Sequence, residues 1–308
     1  MRSASSCLLR RSRLLIVGCG DVGQRVARLL GRRLHAGRLR VYALTSQVAR
    51  REALRALGLV PLLGDLDEGA SLHRLAGLAG RVLHLAPPSG EGEVDRRTQH
   101  LLQSLSRRGL PRALVYASTT GVYGDARGAR FDETRPPSPR SARARRRVDA
   151  EQRVRWFGRA FGVSCTVLRV PGIYAADRAG GHPRERLLRG TPVLQAEDDV
   201  YTNHIHADDL ARACLRALFL GRPQRVLHAC DDTELKMGDY FDLAADLCGL
   251  PRPPRISRAE AGERLPPTLL SFMSESRRLD NSRLKRELRL RLRYPTVREG
   301  LMSCPGSS

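Results

Sequence analysis

Lysine is almost absent from this chain of 308 residues: only Lys236 and Lys285 occur, although Lys and Arg together number 54. The positive charge is therefore nearly all arginine, spread over almost every segment of a chain also rich in Ala, Gly and Leu. That is the pattern of a GC-rich coding bias. Basic residues interleaved with aromatics, of the kind that stack on bases, are missing as well. The formal net charge of +22 then implies loose, salt-sensitive adhesion to polyanions and no specific nucleic-acid partner. Seven cysteines, Cys7, Cys19, Cys165, Cys214, Cys230, Cys248 and Cys304, form no C-x-x-C pair. This excludes a disulfide scaffold, argues against a metal site and fits a reducing, cytoplasmic setting. No run approaches the ~18 apolar residues that a membrane span requires. Met1 to Arg13 has basic residues without an apolar core of its own. It reads as an N-terminal extension over 1–12, although an acid-free leader rich in Arg and Ser also has the composition of a transit peptide.

What is present is organised around Leu14-Leu15-Ile16-Val17-Gly18-Cys19-Gly20-Asp21-Val22-Gly23. A short apolar run breaks into G-x-G-x-x-G and then takes up helical spacing. A strand, turn and helix that hold a dinucleotide need this order. Gly18 permits the tight turn, Gly20 lets the backbone approach a pyrophosphate, and Gly23 allows close contact between helix and strand. Asp21 and Val22 open the helix, whose free N–H groups face the phosphates. The alternative is a glycine-rich turn without a ligand.

Downstream, strands predicted at 39–44, 59–63, 82–86, 113–117 and 164–170 alternate with helical stretches at 47–57, 71–78, 93–108 and 141–159. This rhythm predicts an α/β fold: a doubly wound parallel sheet, the Rossmann arrangement, over 13–172, with ligands outside the carboxyl ends of its strands. From Ile173 the pattern is less regular. A smaller C-terminal α/β lobe is expected over 173–302, with a helix and strand at about 205–230 returning to the main sheet and a tail at 303–308. The helix from Ser141 carries six arginines before Phe157, which oppose close helix packing unless acids compensate; monomer and homodimer both stay open.

About 20 residues past the glycines, NAD-specific sites carry an acid for the adenine ribose. Here Thr45 and Ser46 stand there, with Arg50 and Arg51 one turn on. Without the carboxylate a 2′-phosphate is not repelled, and hydroxyls beside a guanidinium can bind it. The expected cofactor is therefore NADP(H) in preference to NAD(H), the alternative being that these are two more exposed arginines. Asp65, past the third strand, is placed to accept from the adenine amino group.

With these features in order, followed by Ser118-Thr119-Thr120-Gly121-Val122-Tyr123-Gly124, Pro171-Gly172-Ile173-Tyr174 and His204-Ile205-His206-Ala207-Asp208-Asp209, the chain resembles the short-chain dehydrogenase/reductase superfamily over about 13–302. More narrowly it resembles the extended and atypical branch that includes NAD-dependent epimerases and dehydratases of nucleotide sugars. The resemblance implies that Thr119 hydrogen-bonds the reacting hydroxyl or carbonyl, with a strand-end hydroxyl satisfying local backbone as the alternative. It implies that Leu85 and Ala86 lie beside the adenosine ribose, and Ser118, Pro171 and Gly172 at the nicotinamide end. Asp208 and Asp209 are read as structural, at a helix start. His204 and His206 are either structural or face the substrate cleft.

The departures matter equally. The family's Y-x-x-x-K falls on Arg143 and Arg147, and a guanidinium neither gives nor takes a proton near neutral pH. Arg147 can still bind the cofactor ribose or, with Arg143, stabilise developing negative charge, which leaves Tyr123 or Tyr174 to supply a proton. Two functions follow. One is an NAD(P)-dependent oxidoreductase or epimerase-like enzyme acting by hydride transfer on an unidentified small molecule such as a nucleotide sugar. The other is a non-catalytic NADP(H)-binding sensor.

Overall fold

The computed structural model describes residues 12–35 and 39–302. The expected tail at 303–308, and the N-terminal extension up to residue 11, lie outside the described residues. The chain runs β1 (Ser12–Val17), α1 (Asp21–His35), β2 (Leu39–Thr45), α2 (Arg51–Ala56), β3 (Val60–Leu63), β4 (Arg81–His84), α3 (Arg96–Ser106), β5 (Ala113–Thr119), α4 (Ala142–Phe161) and β6 (Ser164–Val170). Then come β7 (Gly172–Tyr174), α5 (Arg184–Leu188), β8 (His204–His206), α6 (Ala207–Leu220), β9 (Arg225–His228) and α7 (Met237–Cys248), with shorter pieces around them.

Seven strands form one parallel sheet in the order β3-β2-β1-β4-β5-β6-β9. The order reverses between β1 and β4, which opens a crevice at their carboxyl ends. Strand side chains alternate between two cores, as buried parallel strands require. Leu14 and Ile16 join the core beneath α1 and α6, while Leu15 and Val17 join the one beneath α3 and α4. Each such leucine, fully buried, stabilises the sheet by roughly 1.5–3 kcal/mol.

The helices begin and end where local chemistry dictates. Asp95 caps α3 by accepting from Thr98 N at 3.1 Å, and Ser141 caps α4 before it stops at left-handed Gly162. The helix expected over 47–57 is a 3₁₀ turn, Val48–Arg50, followed by the six-residue α2, and Gln47 offers no side-chain cap. Similarly, 71–78 is a 3₁₀ segment, Gly69–Leu75. The arginines of α4 do not keep it apart from its neighbours. Arg145 pairs with Glu93 and Arg153 with Asp149, so Ala150, Val154 and Phe157 pack into the core.

The C-terminal lobe has its own core, built from Leu187, Val193, Leu194, Tyr240, Phe241 and neighbours, and β7 pairs with β8 at its entrance. Among the described residues no helix is long and apolar enough to cross a membrane, and no group of three or more potential metal ligands occurs. The described cysteines, Cys19, Cys165, Cys214, Cys230 and Cys248, are all free thiols.

Candidate cofactor and substrate site

The glycine turn follows β1 directly. Gly18 has φ +81°, and a Cβ there would stand 2.4 Å from Ala86 N. Both Leu85 N and Ala86 N donate to Val17 O, at 2.8 and 3.1 Å, so the end of β4 is pressed against the turn. Gly23 sits 3.2 Å, measured from its Cβ position, from Cys19 Sγ and 3.3 Å from Ile16 Cγ2, which brings α1 down onto the strand. Gly20 is different: a Cβ there meets nothing within 4 Å. The turn is thus closed towards the protein and open on the side where a pyrophosphate would lie. Val22 packs on the core, and Asp21 accepts from Arg25 Nε at 3.1 Å, so both would serve a cofactor through their backbone.

At the adenosine end Thr45 is buried and its Oγ1 accepts from Gln47 N at 3.2 Å. Ser46 is exposed. Arg50 reaches back to donate to Cys19 O at 2.6 Å, which sets its guanidinium against the glycine turn. A guanidinium has five N–H donors, so this bond leaves capacity for a phosphate. Asp65 is half-buried and its carboxylate accepts from Asp67 N at 2.9 Å, turning the chain locally.

At the other end of the cleft Ser118 is buried and its Oγ has no partner. Thr119, half-buried, accepts from Gly121 N at 3.3 Å, which is the strand-end contact, and its hydroxyl proton stays available. Arg147 donates to Ala117 O at 2.7 Å and to Tyr116 Oη at 3.0 Å, and its Nε is buried without a partner. One turn earlier, exposed Arg143 lies with its guanidinium 6.0 Å from the Phe272 ring. Pro171 is half-buried and Gly172 exposed, after β6. The orphaned Ser118 Oγ and Arg147 Nε, with the open face at Gly20, make these residues a fitting holder for a dinucleotide.

Tyr123 is placed elsewhere. It is buried, and Arg169 donates to its hydroxyl at 2.6 Å while His228 Nε2 lies at 2.5 Å. His228 Nδ1 must donate to Asp280 O, 2.9 Å away, so its Nε2 accepts the tyrosine proton. Burial pushes the Tyr123 phenol up to about 12 despite Arg169. Tyr174 is likewise buried, donates to Thr296 O at 3.3 Å and is raised by burial. Neither phenol offers the cleft a proton. His206 caps α6 by accepting from Asp208 N at 3.2 Å. Asp209, fully buried, holds Arg293 N and Tyr294 N, and Asp208 pairs with Arg25 at 2.6 Å.

Two supports of the site carry almost no signal in the sequence. Arg25 is buried between Asp21, Asp177 and Asp208, and only its i,i+4 spacing from Asp21 was a signal. Arg169 pairs with Glu151 at 2.7 Å inside the core, one turn beyond Arg147, and so fixes the rotation of α4.

A reversed parallel sheet with an open glycine turn at its switch point defines a dinucleotide-binding protein of the Rossmann kind. The model of the NAD dependent epimerase/dehydratase family matches residues 14–228, most of the chain, and the protein belongs to that family. Among solved structures it is similar to a functionally unknown conserved protein from Silicibacter pomeroyi, with 31% identity, 94% of this chain and 96% of that one covered, and a TM-score of 0.75. It is also similar to the UDP-glucose 4-epimerase of Thermotoga maritima solved with UDP-glucose, with 20% identity, coverage of 94% and 96%, and a TM-score of 0.76. The UDP-glucuronic acid 4-epimerase of Bacillus cereus in complex with NAD matches with 17% identity, coverage of 95% and 97%, and a TM-score of 0.73. These last two likenesses are of fold. Comparison with curated proteins finds no match.

Proposed function

We propose that the protein is an NADP(H)-dependent oxidoreductase that acts on a carbonyl or hydroxyl of a small molecule, as a monomer or homodimer. The observation that carries this reading is the set of polar groups at the carboxyl end of β5: the Thr119 hydroxyl, the unpartnered Ser118 Oγ, and the Arg147 guanidinium anchored on Ala117 O. Gly18, Gly20, Gly23 and the backbone of Asp21 and Val22 would hold the pyrophosphate, Leu85 and Ala86 the adenosine ribose, and Pro171 and Gly172 the nicotinamide side. Thr45, Ser46 and Arg50, with no carboxylate at the end of β2, support NADP(H) over NAD(H), and Asp65 faces the adenine.

Bound there, the nicotinamide would supply or receive a hydride. Thr119 donates a hydrogen bond to the substrate oxygen, and Arg147, with Arg143 at the cleft mouth, stabilises negative charge that develops on it. Because neither guanidinium exchanges a proton near neutrality, the oxygen's proton passes to or from water. The reading is tested by calorimetric titration of nucleotide-free protein with NADPH and NADH at two salt concentrations, followed by a carbonyl screen. NADPH affinity of about 10 μM or better, resistant to salt and ahead of NADH, is expected; weak, equal binding erased by salt overturns it. A non-catalytic NADP(H) sensor is the second reading, favoured by Arg143 at the family's tyrosine position. Tight NADPH binding with no turnover across carbonyls and nucleotide sugars would decide for it.

A further inference from the structure

The C-terminal lobe carries a partly open pocket of about 270 Å³ whose lining includes Gly172, Ile173, Tyr174, Arg186, His204 and Tyr240. Arg186 enters it from α5. Its Nη2 donates to Pro192 O at 3.1 Å, Nη1 lies 4.0 Å from the Met237 sulfur, and the guanidinium stands 4.2 Å from the Phe241 ring centroid. Its Nε is buried with no partner. The charges that bear on it are Arg189, which repels, and the Tyr240 phenol, with no carboxylate among them, although the Glu185 side chain also lines the pocket. Burial, with repulsion from Arg189, lowers it to about 10, so it stays cationic at neutral pH. The buried guanidinia of Arg25 and Arg169 are each met by carboxylates at 2.5–2.7 Å. Sequestering a cation without a counter-ion is costly, and a ligand anion would remove that cost.

A second orphan faces the same space. His204 is 9% exposed, stacks on Tyr240 with centroids 4.2 Å apart and planes 16° apart, and its Nδ1 is buried without a partner. Burial pushes it down to about 4, which leaves a neutral imidazole. The pocket therefore offers the Arg186 guanidinium, an unused imidazole nitrogen and ring walls, with Arg189 and Glu185 also in its lining, and through Gly172 and Ile173 of β7 it adjoins the Pro171 end of the cofactor cleft. It is smaller than the roughly 300–1,000 Å³ pockets that enclose drug-sized ligands.

We propose that Arg186 and His204 bind the anionic group, a phosphate ester or carboxylate, of a small substrate whose carbonyl or hydroxyl end reaches Thr119. The substrate role rests on the hydride-transfer reading above; the anion site stands without it. A fork of guanidinium donors matches either oxyanion.

The test titrates the full-length protein with glycerol phosphate, lactate and UDP-glucose, with NADPH run in parallel. Wild type should bind glycerol phosphate or lactate, and the preferred one identifies the anion. Arg186→Gln should weaken that binding ten-fold or more and leave NADPH affinity unchanged, while Arg264→Gln, exposed on the same lobe and outside the pocket lining, should change neither. If Arg186→Gln does not fold, Arg186→Lys, which keeps the charge and loses the fork, should weaken binding measurably; unchanged affinity there counts against the site. Equal anion binding by wild type and folded Arg186→Gln overturns the proposal, as does UDP-glucose binding ahead of both small anions. Loss of NADPH binding in wild type with the Arg186-dependent anion binding intact would sink the oxidoreductase reading and leave the site standing.

Discussion

Two glycines two residues apart should respond in opposite ways to the same added methyl group. Gly18→Ala places a Cβ 2.4 Å from Ala86 N on a backbone with φ +81°. The left-handed conformation costs an L-residue about 1–2 kcal/mol, and the clash with the end of β4 adds about 1–3 kcal/mol. The variant should therefore lose about 2–5 kcal/mol of stability. Gly20→Ala meets nothing within 4 Å, so its stability should stay within about 0.5 kcal/mol of wild type. Yet its methyl group projects where the pyrophosphate must approach, and NADPH affinity should fall at least about ten-fold, or ~1.4 kcal/mol. Urea unfolding and calorimetry on both variants provide the readouts. A Gly20→Ala protein that binds NADPH like wild type would refute the assignment of the turn. A Gly18→Ala protein with an unshifted urea midpoint would refute the packing argument.

Arg50→Ala should lower NADPH affinity by about ten-fold, ~1.4 kcal/mol, and spare NADH; an equal loss for both would mean that Arg50 only braces Cys19 O. Tyr123→Phe strips the partner from Arg169 and His228 and should cost about 1–3 kcal/mol of stability, with NADPH affinity unchanged by calorimetry. Acid should destabilise the fold. Burial holds His84 down to about 3 and His204 and His228 down to about 4. Their folded values lie below the unfolded one, so the stability they confer is complete above about pH 6.5 and is lost as pH falls, at ~1.4 kcal/mol per unit for each. Asp231, raised by burial to about 8, works the other way and offsets about one of the three. Urea midpoints between pH 7 and pH 4.5 should fall by a few kcal/mol equivalent; a flat profile would contradict the neutral buried histidines.

The sheet was legible because each strand is a short apolar run bounded by turn residues, and the glycine turn because its spacing carries a mechanism. Helix limits were less so: Gln47 gives no cap, and the stretch 47–57 tightened into a 3₁₀ turn before α2. The two phenols were the clearest difficulty. Tyr123 and Tyr174 sit in motifs beside the cleft, but nothing in a one-dimensional pattern says that Arg169, His228 and Thr296 O engage their hydroxyls from other elements. Arg186 was unreadable for the opposite reason. In a chain so rich in arginine, one buried cation looks like any exposed one until its neighbours are known.

The arginine at the lysine position gains meaning from what lies around it. Glu151, one turn after Arg147, is fixed by Arg169 inside the core, and Ser141 and Gly162 fix the two ends of α4. On the other side, Ala117 O and Tyr116 Oη receive Arg147. Behind Tyr116, His84 Nε2 donates to Thr98 Oγ1, which in turn donates to Asp95 at 2.6 Å. A guanidinium held this firmly at a strand end is preorganised to meet negative charge without rearrangement, which is the property that electrostatic stabilisation of a transition state requires. These supports are what the proposed role of Arg147, meeting negative charge in the cleft without exchanging a proton, requires.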